Sequence, residues 1–215
     1  MIIVRVITKL FERLIVVFPL GAHVLFRLYY CKIVKREMLL GEVTESDQVL
    51  CIGGGPIPAT ALEIARQTGA RVSVIDNDPR AVKMARRFVR ELKLNEAERI
   101  EVMFGDGKRI DAKGYTIVHI AKQAYPHDQI LKNILGRAPG GARILVRCEQ
   151  NEIKQFHAHV PEMTSCNKGQ CIFHKHSQSQ RATIVYTKEQ RRDKIEETPF
   201  SFDYVRHYHN HRSVG

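Results

Sequence analysis

The sequence lacks a long apolar run and a set of paired cysteines. Its longest stretch without a charged residue near the N-terminus covers only residues 14–26, and Pro19 and Gly21 lie within it. Because a membrane-spanning helix needs about 20 apolar residues, none is expected here, and no clear small-residue cleavage site for a signal peptide follows. The 5 cysteines are odd in number and scattered, which argues against a secreted disulfide scaffold and favours a reducing cytoplasm.

Acidic residues are also scarce relative to basic ones. The chain of 215 residues has 23 Asp and Glu against 34 Lys and Arg, a formal net charge of +11. Such an excess is typical of proteins that meet nucleic acid, a membrane surface or an anionic small molecule. It is equally typical of a soluble protein with many exposed Lys and Arg side chains.

The first 47 residues are predicted to form a helical N-terminal extension. The apolar segment carries Arg5, Lys9, Arg13 and Arg27, so one or two amphipathic helices interrupted near Pro19 are expected, packed on the main domain or on a partner chain. Peripheral membrane contact through this segment and homo-oligomerisation both stay open. Its residues Tyr29, Tyr30 and Glu37 are interpreted as packing residues, with a lid over a site as the alternative.

From Gln48 onwards, strand-like and helix-like segments alternate. Strands are expected at 48–53, 71–76, 99–105, 115–121 and 142–148, and helices at 58–69, 78–94 and 126–137. This alternation predicts an α/β fold with a doubly wound, mostly parallel sheet. A short helix at 151–159 and a closing strand pair at 168–176 and 181–188 follow. Residues 48–190 are thus predicted to be one domain, and 191–215 a C-terminal tail.

The first predicted strand runs into a glycine loop, GGGPIPATALEIA, that leads directly into a helix. Glycines let the backbone approach a ligand, and the helix N-terminus offers free N–H groups, so the loop predicts a cofactor cradle. Asp76 ends the second strand, where a carboxylate accepts hydrogen bonds from ribose hydroxyls. Asp106 follows the third strand, where it meets an amino group such as adenine N6. All these residues fall at the same edge of the sheet.

The expected cofactor-binding residues are Gly53, Gly54, Gly55, Pro56, Asp76, Asn77, Gly105, Asp106, Gly107 and Ala121. The loop favours S-adenosylmethionine over NAD. The dinucleotide fingerprint has a third glycine where this chain has Pro58, and Pro56 and Pro58 also remove backbone donors that a pyrophosphate needs. S-adenosylmethionine carries no phosphate, so a rigid loop with fewer donors suits it.

The order strand, GGG, helix, VIDNDP, helix, GDG resembles class I S-adenosylmethionine-dependent methyltransferases over residues 49–148. This resemblance implies a seven-stranded, Rossmann-like methyltransferase sheet with an antiparallel final hairpin. The loop GGGPIPAT is also similar to the G-x-G-P-[LI]-P-x-T loop of nicotianamine synthases, which transfer an aminocarboxypropyl group instead of methyl. The resemblance implies a transferase of methyltransferase type acting on a small molecule, with aminocarboxypropyl transfer as the alternative.

Candidate catalytic residues follow the fourth strand, in HIAKQAYPHD. His119, Lys122, Tyr125 and His127 are titratable groups in the place where this fold meets its substrate, and an amine nucleophile needs a nearby base. An RNA-modifying enzyme is a second reading, although no N/D-P-P-[YF] sequence occurs there. A non-catalytic membrane- or partner-binding protein is a third, and a nicotinamide-dependent oxidoreductase a fourth.

The segment before the last predicted strand contains cysteines and histidines close together in sequence. Cys166, Cys171, His174 and His176 are ligand types for a tetrahedral zinc ion. However, alternate residues of a strand share a face, so Cys171 points away from His174 and His176. No metal is therefore expected, and packed cysteines with surface histidines are the preferred interpretation.

Overall fold

The structure, a computed structural model, describes residues 19–154, 156, 170–174 and 181–189. Its centre is a seven-stranded sheet in the order β3-β2-β1-β4-β5-β7-β6. The strands are β1 (Gln48–Ile52), β2 (Arg71–Asp76), β3 (Ile100–Phe104), β4 (Ile117–Ile120), β5 (Arg143–Glu149), β6 (Gln170–His174) and β7 (Arg181–Thr187). β1 to β5 pair in parallel, whereas β7 runs antiparallel to both β5 and β6. The predicted doubly wound sheet with a reversed final pair is confirmed.

Helices occupy predicted connections between strands and part of the segment before β1. They are α1 (Pro19–Leu40), α2 (Ala59–Thr68), α3 (Pro79–Leu92) and α4 (His127–Arg137). Gly69 ends α2 in a left-handed conformation, with its N–H bonded to Ala65 O, as expected for a glycine at a helix end. Asp78 caps α3 by accepting from the Arg80 N–H, and Pro79 takes the first helical position, so this predicted start is also confirmed.

The two faces of the sheet carry separate apolar clusters. Leu50 and Ile52 of β1 point towards α4, where Ile134 and Leu135 are fully buried. The alternate residues Val49 and Cys51 belong to the opposite cluster, which is built from α1, α2 and α3. This period of two follows from strand geometry. It places α1 on the sheet face that α2 and α3 also cover.

Several sequence predictions fall partly or wholly outside the described residues. These are the segment before Pro19, most of the short helix at 151–159, the cysteine and histidine at 166 and 176, and the tail at 191–215. Within the described part, Gln150–Glu152 is a 3-10 helix that leads into helical residues 153 and 154. No helix among the described residues combines the length and the apolar character needed to cross a membrane.

Candidate functional site

The glycine loop is fixed against the end of β2. The N–H groups of Gly53 and Gly54 both donate to Ile75 O, at 2.9 and 3.2 Å. A Cβ on Gly54 would lie 2.1 Å from Val74 Cγ1, well inside van der Waals contact. Gly53 has a φ of +81°, a conformation that other residues rarely adopt. The loop therefore needs glycine for both close packing and backbone conformation.

Asp76 is tied into this loop. Its Oδ2 accepts from the Gly55 N–H at 2.8 Å, and its Oδ1 accepts from the Asp78 N–H at 2.9 Å. A carboxylate offers about four acceptor positions, so each oxygen keeps capacity for a ligand hydroxyl. The two backbone bonds orient the carboxylate before any ligand arrives.

One cavity, here called the Asp76 cavity, gathers most of the predicted cofactor-binding residues. Its lining includes Gly53, Asp76, Asn77, Gly105, Asp106 and Gly107, and Ile52, Ile75 and Ile130 supply apolar walls. Asp106 Oδ1 accepts from the Lys108 N–H at 2.9 Å, and its Oδ2 lies 3.5 Å from Lys108 Nζ. Two carboxylates and an apolar slot thus share one space, which suits a nucleoside with hydroxyl and amino groups.

A second cavity, here called the Arg147 cavity, is also lined by the glycine loop. Its polar lining comes from Tyr30, Thr60, His119, Gln123 and Arg147, together with the Cys51 thiol. Burial raises the pKa of that thiol to about 12, so it stays protonated. Ile52, Gly53 and Gln123 line both cavities. The two cavities are therefore neighbours that share these three residues as lining.

A buried ion pair forms the floor of the Arg147 cavity. Glu37 of α1 is fully buried and accepts from Arg147 Nε at 2.7 Å and from Arg147 Nη2 at 2.6 Å. Thr183 Oγ1 donates to the same carboxylate at 2.6 Å, and Arg147 Nη1 donates to Thr60 Oγ1 at 3.0 Å. Arg147 also lies 5.4 Å from the centre of the Tyr30 ring, within cation–π range. This network joins α1, α2, β5 and β7 around one guanidinium.

The charges in this network set the protonation of its members. Burial alone would raise the pKa of Glu37, but the Arg147 charge and its hydrogen bonds hold that pKa well below its usual range. Glu37 is therefore ionised. Burial, reinforced by the Arg147 charge, lowers the pKa of His119, so its imidazole is neutral at pH 7.

His119 is the predicted catalytic residue that lies in this cavity. It is 1% exposed, and its Nε2 lies 3.4 Å from Glu37 Oε2 without forming a hydrogen bond to any described residue. A buried polar atom without a partner is unusual in a folded protein. The residue lines the Arg147 cavity, and its Nε2 faces the Glu37 carboxylate beside that cavity.

The other three predicted catalytic residues are not brought together with His119. Lys122 Nζ pairs with Glu149 Oε1. Tyr125, 73% exposed, stands at the rim of the Asp76 cavity. His127 is buried, with its Nε2 3.2 Å from Ala121 O and its ring between Tyr125 and Phe156. Of the remaining predicted cofactor residues, Gly54 and Ala121 line the Arg147 cavity.

Sequence reasoning missed Arg147, Thr60 and Gln123, and it assigned Glu37 to packing. The sequence contained a signal for Arg147 and Glu37. An arginine inside the predicted strand ILVRC and a glutamate inside a predicted helix each need a partner when they are buried. For the zinc hypothesis, His174 Nε2 contacts Thr183 Oγ1 at 2.8 Å. Across the residues that the structure describes, no group of three or more His, Cys, Asp or Glu is arranged to hold a metal.

Comparisons with known proteins found one local sequence similarity and several similar folds. No protein-family model matches the chain. A stretch of 62 residues is 36% identical to the L-histidine 2-aminobutanoyltransferase of Yersinia pestis, covering 29% of this chain and 23% of that protein. Among solved structures, a mutant of MtNAS in complex with S-adenosylmethionine aligns with a TM-score of 0.62 and 22% identity, over 74% of this chain and 62% of that one.

An RNA methyltransferase from Salinibacter ruber in complex with S-adenosyl-L-homocysteine aligns with a TM-score of 0.57 and 20% identity. That alignment covers 80% of this chain and 96% of the other. The protein therefore has the Rossmann-like fold of S-adenosylmethionine-dependent methyltransferases, which MtNAS, a nicotianamine synthase, shares. The chain spans less than two thirds of the MtNAS length and less than a quarter of the aminobutanoyltransferase.

Proposed function

We propose that the protein is a transferase that uses S-adenosylmethionine and moves its aminocarboxypropyl group to an amine of a small molecule. The observation that carries this proposal is the pair of neighbouring cavities that share Gly53 of the glycine loop, one with two carboxylates and the other with a buried arginine and a neutral histidine. A cofactor with a nucleoside end and an amino acid end fits two such spaces.

The Asp76 cavity suits the adenosine. Asp76 would accept hydrogen bonds from the ribose hydroxyls, and Asp106 from the adenine amino group. The base would lie between the apolar side chains of Ile75 and Ile130, with Tyr125 at the rim stacking on or covering it. The S-adenosylmethionine and S-adenosyl-L-homocysteine bound in the two aligned structures support this assignment.

The Arg147 cavity suits the amino acid part of the cofactor and the acceptor. α2 begins at this cavity, and a helix N-terminus together with a guanidinium favours a carboxylate. The sulfonium would lie beside the lining residues that the two cavities share. When bound, the cofactor supplies an activated carbon next to a positively charged sulfur.

His119 is the proposed proton acceptor for the attacking amine. Its imidazole is neutral, and its Nε2 has no hydrogen-bond partner among the described residues. The ionised Glu37 carboxylate 3.4 Å away would stabilise the imidazolium that forms. Glu37 itself is a poor base, because Arg147 and Thr183 already occupy its oxygens.

Two likenesses favour aminocarboxypropyl over methyl transfer. The local match is to an enzyme named for transferring a 2-aminobutanoyl group to L-histidine, and MtNAS has also been crystallised with MTA, the methylthioadenosine that this transfer leaves behind. Methyl transfer is the second candidate. It is favoured by the net charge of +11 and by the likeness to the RNA methyltransferase over 96% of that chain.

Product analysis tests the proposal. The protein is incubated with S-adenosylmethionine and a panel of amino acids that includes L-histidine, and the nucleoside products are separated by chromatography. Methylthioadenosine with a correspondingly heavier acceptor is the expected result. Formation of S-adenosylhomocysteine would show methyl transfer instead of the proposed reaction. If neither nucleoside product forms with any acceptor, RNA included, both candidates are contradicted.

The proposal also covers domain organisation, cellular location and association. We infer a catalytic domain over 48–190 whose Arg147 cavity is completed by Tyr30 of the extension at 1–47, while Glu37 of the same extension holds Arg147 in place. The scattered cysteines favour a cytoplasmic protein. Membrane contact through the N-terminal segment and self-association are further proposals, and vesicle flotation and light scattering test them.

A further inference from the structure

We propose that Gln123 orients the acceptor amine for attack, an inference that rests on the proposed function. Gln123 is exposed and lines both the Asp76 cavity and the Arg147 cavity. Among the described residues, Ile52 and Gly53 are the others with this double position, and neither has a polar side chain. Gln123 is therefore the polar side chain at the point where the transferable carbon would lie.

The amide of Gln123 is held in one orientation. Its Nε2 donates to Gly53 O at 3.1 Å. A carbonyl oxygen can only accept, so the NH2 end of the amide must face Gly53 and the Oε1 end is left for a ligand. Gly53 is itself fixed, because its N–H bonds to Ile75 O at 2.9 Å. The geometry thus presents a carbonyl oxygen from a rigid support.

An attacking amine requires a neutral hydrogen-bond acceptor at this point. An amine that donates one N–H to a carbonyl oxygen has its lone pair directed away from that bond, so Gln123 Oε1 can aim the lone pair at the reacting carbon. The carbonyl dipole also stabilises the positive charge that grows on nitrogen in the transition state. A cationic side chain would repel both the sulfonium and this developing ammonium.

The step balances without a further reactant. The amine lone pair forms the new C–N bond to the methylene carbon on sulfur, and the C–S bond breaks with its electron pair moving to sulfur. Sulfonium becomes the neutral thioether methylthioadenosine, and the amine becomes a substituted ammonium. One N–H proton then passes to His119, while the other N–H stays bonded to Gln123 and no proton moves to the amide.

Other polar groups of the Arg147 cavity are less suited to this role. Arg147 is cationic and already bonded to Glu37 and Thr60. The Cys51 thiol is protonated, with a pKa of about 12, and is a weak hydrogen-bond acceptor. Thr60 Oγ1 already accepts from Arg147, the Tyr30 ring packs against the same guanidinium, and neither residue lines the Asp76 cavity. These observations favour Gln123 as the residue that orients the nucleophile.

The test uses Gln123→Met, which keeps the side-chain length and removes the carbonyl. The control is Gln129→Met, because Gln129 is an exposed glutamine on α4 outside both cavities. We expect Gln123→Met to keep its melting temperature and its S-adenosylmethionine dissociation constant within about threefold, since the adenosine contacts are intact. Its kcat should fall about tenfold or more, because the amine lone pair is no longer aimed at the reacting carbon.

Two readouts separate orientation from a structural role. Calorimetry with L-histidine as the amine probe, in the presence of methylthioadenosine, should give an affinity about tenfold weaker for Gln123→Met. The acidic limb of the pH–rate profile should be unchanged, because glutamine does not titrate, whereas His119→Gln should lose that limb.

The outcomes distinguish this inference from the proposed function. If the wild type forms methylthioadenosine and Gln123→Met matches it in kcat and amine affinity, the inference alone is wrong. A parallel loss of S-adenosylmethionine affinity in Gln123→Met would also overturn it, because the residue would then hold the cofactor. If the wild type forms no product, the proposed function fails and the inference fails with it.

Discussion

Replacing Glu37 by glutamine should destabilise the protein strongly. The substitution keeps the size of the side chain but removes a charge that is fully buried and that accepts two bonds from Arg147, at 2.7 and 2.6 Å. The Arg147 side chain is only 13% exposed, so its positive charge would be left in the interior without a counter-ion. Breaking a buried pair in this way costs about 3–5 kcal/mol.

That loss translates into a large change of melting temperature. For a chain of this size, 1 kcal/mol shifts the melting temperature by about 2–4 °C, so Glu37→Gln should melt roughly 6–20 °C below the wild type. Differential scanning calorimetry gives the melting temperature, and urea unfolding gives the free energy of unfolding at 25 °C independently.

Two further variants make the reasoning refutable. Glu37→Leu combined with Arg147→Met removes both charges and should recover most of the lost stability, since apolar replacements of a buried pair are often neutral. The control Glu91→Gln breaks the exposed Arg87–Glu91 pair and should cost less than about 1 kcal/mol. A melting temperature for Glu37→Gln as close to wild type as that of Glu91→Gln would refute the buried-pair account.

Three other predictions concern the glycine loop and the two cavities. Asp76→Ala should lose measurable S-adenosylmethionine binding in calorimetry while its melting curve stays cooperative, and retained affinity would show that the carboxylate is misassigned. Gly54→Ala should lose about 1–3 kcal/mol of stability from overpacking on Val74. Val74→Ala in that background should restore part of this loss, and strict additivity of the two changes would contradict the clash. Stability should fall as pH drops below about 6.5, because burial lowers the pKa of His119 and Arg147 holds that of Glu37 down. The unfolded chain then binds more protons than the native one, and a melting temperature that is constant from pH 7 to pH 4 would contradict this linkage.

Much of the fold was readable from the sequence because its signals are local. The buried strand before Gly53, the helix start at Asp78 and Pro79 and the helix end at Gly69 each depend on neighbouring residues. The reversed final strand pair was expected from the resemblance and is confirmed by the pairing of β7 with β5 and β6.

The floor of the Arg147 cavity could not be read in the same way. Glu37 and Arg147 are 110 residues apart, and Thr183 lies 146 residues from Glu37. The sequence indicates that a buried charge needs a partner. It does not indicate which residue the fold places next to that charge. Glu37 and Arg147 come into contact because α1 covers the sheet face to which Leu145 of β5 points. Arg147, two residues further along β5, points to the same face.

The junction residue Gln123 was missed for a different reason. Glutamine does not titrate, so nothing in HIAKQAYPHD distinguishes Gln123 from a solvent-exposed loop residue. Its position depends on the bond between its amide and Gly53 O, 70 residues away in sequence. Of the four titratable candidates, the fold brings only His119 to the Arg147 cavity.

Calorimetric titration of the full chain with S-adenosylmethionine, and in parallel with NAD, tests the central claim most directly. The proposed assignment of the Asp76 cavity to the nucleoside and of the neighbouring Arg147 cavity to the amino acid carboxylate predicts one molecule of S-adenosylmethionine bound per chain and no heat from NAD. Binding of NAD without binding of S-adenosylmethionine would contradict the assignment of both cavities.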